Sequence, residues 1–146
     1  MRLLRKTALV GIIVAGIGCR DVSGPPALPA NYVLVSINGR PLPTFLSPIP
    51  ESPTVNYSTL SLDGSGNAVR IENQRVMISP GEVTYTTNYT YSIRGNTIEL
   101  IIDCPHTING LCPAPLVGTF VNSHLTLDLS GGQNYLVYDY QLAVQN

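Results

Sequence analysis

From residue 31 onward, apolar and polar residues alternate one by one, and Gly, Asn or Pro interrupts the alternation about every ten residues. Residues 124–129, HLTLDL, show the pattern most plainly. Leu125, Leu127 and Leu129 share one side, while Thr126 and Asp128 share the other. Successive side chains of a strand point to opposite faces, so such a segment builds a strand with one apolar face. A helix needs apolar residues three and four apart, and no stretch after the N-terminal region sustains that spacing. Val, Ile, Thr and Tyr dominate the periodic segments, and branched or aromatic side chains suit a pleated surface.

The alternation predicts eight strands, over residues 32–37, 55–62, 68–78, 82–93, 97–102, 116–121, 124–129 and 135–143. Asn38-Gly39, the run DGSGN at 63–67, Ser79-Pro80-Gly81, Arg94-Gly95-Asn96, Asn122-Ser123 and GGQN at 131–134 supply turns. Residues 40–54 hold five prolines, which excludes a central strand. They read as a long loop that packs Leu42, Phe45 and Leu46 over an open end of the fold. The expected fold is all-β: an antiparallel eight-stranded meander closed into a small barrel, its last strand paired with its first so that both edges are covered. A two-sheet β-sandwich is the alternative.

The N-terminal residues carry a different signal. Arg2, Arg5 and Lys6 precede an apolar run of 12 residues, 7–18. As a helix the run is about 18 Å long, and a bilayer core takes about 20 apolar residues to cross. The basic start, the short apolar core and the small residues Gly16 and Gly18 fit a cleavable signal peptide over residues 1–18. Ile17-Gly18-Cys19 resembles the lipobox of bacterial lipoproteins, in which a signal peptidase cuts before a cysteine that carries lipid. The resemblance implies lipidation of Cys19 and anchoring to a bacterial membrane, on its periplasmic or surface side. Without lipid on Cys19 the chain would be secreted. Residues 19–30 then form the lipidated cysteine and a Pro-rich tether, in which Pro25, Pro26 and Pro29 favour extended chain. Residues 31–146 are one domain, long enough to bury a core.

The chain has three cysteines, and assigning Cys19 to lipid leaves Cys104 and Cys112 as a pair. An oxidising envelope favours a disulfide between them. They flank PHTINGL, where Asn109-Gly110 turns the chain back. A metal pair and two free thiols are the competing fates. Removing Arg2, Arg5 and Lys6 with the signal would take the net charge from -1 to -4. The remaining Arg20, Arg40, Arg70, Arg75 and Arg94 are scattered, whereas nucleic acid requires clustered cations to neutralise phosphates.

Four segments, YVLVSINGRPLP (32–43), NYTYSIRGNTIEL (88–100), HLTLDL and YLVYDYQL (135–142), together resemble small bacterial lipoproteins with lipocalin-like or META-like β-barrel domains. The likeness spans residues 31–142. It implies a barrel in a cell-envelope setting and transfers no site residue.

The chemistry in the chain is sparse. His106 and His124 are the only histidines, and His106 shares a loop with Asp103, but zinc takes three or four ligands. No G-x-S-x-G pattern is present. Glu82, Glu99 and Asp128 read as outward residues of amphipathic strands. The expected function is non-enzymatic, without cofactor or metal: a membrane-tethered binding or interaction module whose partner is an envelope protein or polymer. Tyr85, Tyr89 and Tyr91 share one side of a strand, and Tyr138 and Tyr140 one side of the last strand. They either pack the core or line a cavity, which would make the protein a lipocalin-like carrier of a small apolar ligand. A hydrolase-inhibitor-like lipoprotein is a further reading, with 40–54 or 103–115 as its protruding loop. Metabolic labelling with a fatty acid will mark the wild-type chain and leave Cys19→Ser unmarked; equal labelling of the two would refute attachment at Cys19.

Overall fold

The computed structural model describes residues 24–47, 52–76, 81–104, 112–130 and 136–143. The signal segment, Cys19, the start of the tether and His106 lie outside them. β1 (Ala30–Ile37) is followed by two short strands, β2 (Arg40–Pro41) and β3 (Thr44–Phe45). Then come β4 (Thr54–Leu62), β5 (Asn67–Val76), β6 (Gly81–Arg94), β7 (Thr97–Ile102), β8 (Leu116–Val121), β9 (His124–Asp128) and β10 (Val137–Leu142). From β4 to β10 each strand pairs antiparallel with the next. β1 pairs with β10 on one side and with β4 on the other, which closes the ring. The result is the expected eight-stranded antiparallel barrel with two extra strands, rather than a sandwich.

Local chemistry sets the turns. Asn38 (φ 51°) and Gly39 (φ 73°) are both left-handed, the conformation of a tight hairpin turn, and return the chain along β1 as β2. Asn122 (φ 48°) and Ser123 (φ 67°) turn β8 into β9 in the same way. Between β4 and β5 the Asp63 carboxylate organises the turn. Its Oδ1 accepts the N–H groups of Ser65 (2.8 Å) and Asn67 (2.7 Å), and its Oδ2 accepts Ser65 Oγ (2.7 Å) and Asn67 Nδ2 (2.9 Å). These bonds, led by the Asn67 side chain, hold its pKa well below the usual carboxylate range.

The proline-rich segment departs from expectation. It is not a plain loop: Arg40-Pro41 pairs with Ser36-Ile37, and Thr44-Phe45 pairs with Thr54-Val55. Proline fits because these pieces lie at the two ends of the strand order, where a missing N–H breaks no central ladder. Leu42 and Leu46 pack against the core, but Phe45 is 50% exposed.

Side chains from all eight barrel strands fill the inside, among them Tyr32, Leu60, Tyr89, Ile98, Phe120, Leu125, Leu127 and Tyr140. The two ends of the barrel differ. At the near end the chain enters at Ala30, beside the tight turns 63–66, 95–96 and 122–123. At the far end lie the longer connections 38–53, 103–115 and 129–136. Packing is tightest at Gly118, where an added Cβ would lie 2.4 Å from Leu127 Cδ2, 2.8 Å from Thr126 O and 3.0 Å from Ile98 Cγ2. The Thr126 oxygen belongs to the neighbouring strand and cannot swing away. Gly118→Ala will therefore destabilise the barrel by about 1–3 kcal/mol, read as a lower midpoint in urea unfolding.

Candidate functional site

β5 carries the unexpected chemistry. Its residues Ala68, Arg70 and Glu72 pair with Leu62, Leu60 and Ser58 of β4, all of which are buried. The pairing register therefore places a cation and a carboxylate inside the barrel. Ile71, one residue out of step, is left exposed. A strand with one apolar face would normally turn that face inward; here the turn around Asp63 fixes the opposite choice.

The interior tyrosines accommodate this. The Arg70 guanidinium lies 6.0 Å from the Tyr89 ring centre and 5.9 Å from that of Tyr138. Ring faces attract a cation, and the attraction grows when water is excluded. Burial works against the Arg70 charge, but the oxygens of Tyr89, Glu72, Tyr140 and Tyr138 outweigh it and raise its pKa. Arg70 Nε and Nη1, Glu72 Oε2 and the Tyr89 hydroxyl are buried with no hydrogen-bond partner among the described residues. For the guanidinium, the two ring faces stand where acceptors would otherwise be needed. Glu72 Oε1 accepts Gln74 Nε2 at 2.5 Å, and the Tyr140 and Ser58 hydroxyls share a bond at 3.0 Å.

The five tyrosines singled out by spacing do not line one cavity. Tyr89, Tyr138 and Tyr140 meet around Arg70 and are 2%, 1% and 0% exposed. Tyr91 sits at the near end, where its hydroxyl donates to the Asp63 carbonyl and its N–H bonds Gly66 O at 2.8 Å. Tyr85 is 47% exposed, on the part of β6 that runs past β7. The rings that point inward are spent on packing, so the carrier reading draws no support from them.

Cys104 and Cys112 are free thiols in the structure, in place of the disulfide that the sequence leads one to expect. They stand within hydrogen-bonding reach, and that bond is the first cause of a raised Cys104 pKa. His124 follows the Asn122-Ser123 turn, and its Nδ1 lies 3.0 Å from Asp139 Oδ1. Among the described residues no three His, Cys, Asp or Glu side chains gather as a metal site.

Comparison with protein-family models, curated proteins and solved structures finds no match. The site is therefore read from its own geometry. Sequence reasoning counted Arg70 among scattered cations and passed over Glu72. The signal available was that both share strand parity with Ala68, which follows directly from the hairpin turn.

The far end also carries an open groove of about 250 Å³, lined by Ile37, Asn38, Arg40, Phe45, Leu46 and Ser47. It combines exposed apolar surface with one cation beside the barrel rim.

Burial pushes the Tyr32 hydroxyl up to about 12, and it raises Tyr138 and Tyr140 as well. For Tyr138 the nearby Glu72 adds to the rise and Arg70 opposes it; for Tyr140 the Ser58 bond opposes it. The folded state favours the neutral phenols. Their contribution to stability is intact below the ordinary tyrosine pKa of about 10 and is lost as pH rises through the raised folded values. An alkaline absorbance titration will show exposed tyrosines ionising first, and the buried ones ionising together with loss of the β-sheet circular dichroism signal.

Proposed function

We propose that this chain is a non-enzymatic lipoprotein of a bacterial cell envelope, tethered through Cys19, whose barrel is a binding module for an envelope protein or polymer. The observation that carries this reading is the contrast between the barrel's ends. The tether's described residues arrive at the near end, among tight turns, with Gly24 and Pro26 beside Tyr32, Ser123 and Leu142. The described ends of the longer connections and the groove beside Arg40 and Phe45 lie at the far end, opposite the entry of the chain at Ala30. Rigid scaffolds commonly present recognition on such loops. The filled interior supports surface recognition over enclosure of a ligand: Arg70 lies over the Tyr89 and Tyr138 rings, and Glu72 accepts from Gln74. In an oxidising envelope the neighbouring thiols of Cys104 and Cys112 would close to a disulfide and fix the far-end connection between β7 and β8.

Photo-crosslinking groups in the full-length chain in intact cells test the orientation. A group at Phe45 will capture an envelope component, and a group at Gly95 will not. Capture from Gly95 alone, or from neither position, would overturn recognition at the far end.

A further inference from the structure

β6 is longer than the strand that should cover it. Its residues 89–94 pair with β7, from Tyr89↔Ile102 to Arg94↔Thr97. One further bond follows, from Asp103 N–H to Asn88 O at 3.2 Å. Beyond it, residues 81–87 pair with β5 alone among the described residues. The direction of the main-chain groups is fixed by two bonds. Asn88 O faces the β7 side, and Tyr91 N–H faces Gly66 on the β5 side. Alternation then aims the N–H and C=O groups of Glu82, Thr84 and Thr86 at the open edge. The chain's own continuation is poorly suited to cover them. In sequence, Asp103 is followed by Cys104-Pro105, and proline has no N–H to give to a sheet edge.

Native sheets protect such edges with Lys, Pro, a bulge or a short strand. This edge has none of these. The register with β5 runs unbroken from Asn67↔Thr90 to Val76↔Gly81, and the sequence GEVTYTTN has high strand propensity. Residues 81–86 are exposed. The single charge, Glu82, lies 3.6 Å from Arg75 on β5.

We propose that this edge pairs antiparallel with the same edge of a second copy, about a two-fold axis at Thr84. The segment is complementary to itself in that register. Thr84 faces its own counterpart and exchanges both main-chain bonds with it. Glu82 faces Thr86 of the other copy, so like charges are kept apart. Val83 faces Tyr85 on each side of the axis, and both are exposed in the single chain, at 36% and 47%. Threonine pairs and apolar–aromatic pairs are favourable cross-strand neighbours. This pairing is independent of what the groove at Arg40 and Phe45 binds.

The test uses the full chain in detergent, with Cys104→Ser and Cys112→Ser as background. Opposed residues of a hydrogen-bonded antiparallel pair have Cα atoms about 5.5 Å apart, inside the span of a disulfide at about 4.4–6.8 Å. On mild oxidation, Thr84→Cys will give a covalent dimer, whereas Thr126→Cys on the outer face of β9 will not. Adding Thr86→Pro removes an edge donor without touching the β5–β6 ladder, and the dimer will be lost while the β-sheet spectrum is kept. In the otherwise native chain, Thr84→Lys sets like charges across the axis, and the protein mass by sedimentation will halve. A Thr84→Cys dimer yield no higher than that of Thr126→Cys would overturn the proposal. So would a yield unchanged by Thr86→Pro, or a native chain that sediments with the mass of Thr84→Lys.

Discussion

The barrel depends on β1 being hydrogen-bonded along both sides. Tyr32 and Val33 face Leu142 and Gln141 of β10 on one side, and Leu60 and Thr59 of β4 on the other. Without that double pairing, β4 and β10 would be the free edges of an open sheet, and the core would lose its enclosure. Closure between segments so distant in sequence carries a loop-closure cost that adjacent hairpins avoid. The register shift between Leu34 and Ser36 is a bulge-like irregularity that bends β1 locally. It also keeps Tyr32, Leu34 and Ile37 all buried although their spacing breaks strict alternation.

Closure has a further effect on the interior. Once the ring is shut, every inward residue must be accommodated, whatever its chemistry. Arg70 and Glu72 are carried in by the register of β5, and the barrel answers with tyrosines instead of aliphatic side chains. A phenol offers an apolar ring for packing, an electron-rich face for the guanidinium, and a hydroxyl that reaches Ser58. A low count of phenylalanine and an absence of tryptophan in the chain fit that division of labour.

Strands were legible where one face is wholly apolar. β9 and β7 show Leu125, Leu127, Ile98 and Leu100 inside, as alternation requires. The closed ring followed from the spacing of turn residues. The β5 interior was not legible, because Val69 and Ile71 mimic a core face and hide the parity that the Asp63 turn imposes. The tyrosine positions were legible as a face but not as a site, since β6 slopes past the rim and its seven-residue spread from Tyr85 to Tyr91 spans exposed, buried and half-buried surroundings. The paired fragments at residues 40–45 escaped notice because proline argues against central strands and is silent about the ends of a sheet. The cysteines were legible as neighbours; their oxidation state depends on the surrounding redox poise, which the chain does not encode.

The place where β6 overhangs has a geometric consequence for any pair joined there. A two-fold axis perpendicular to a sheet reverses every direction lying in it, the barrel axis included. The overhang is at the far end, and the chain enters at the near end, so the two entry points at Ala30 stand at opposite extremities of the pair. Lipid anchors leading into them would lie on opposite sides of the pair. Two such molecules rooted in one leaflet cannot meet in this way without folding one of them over, whereas two rooted in facing surfaces can. The same strand that gives the barrel its longest ladder would then act as a rivet across a gap, with a height set by two barrels end to end.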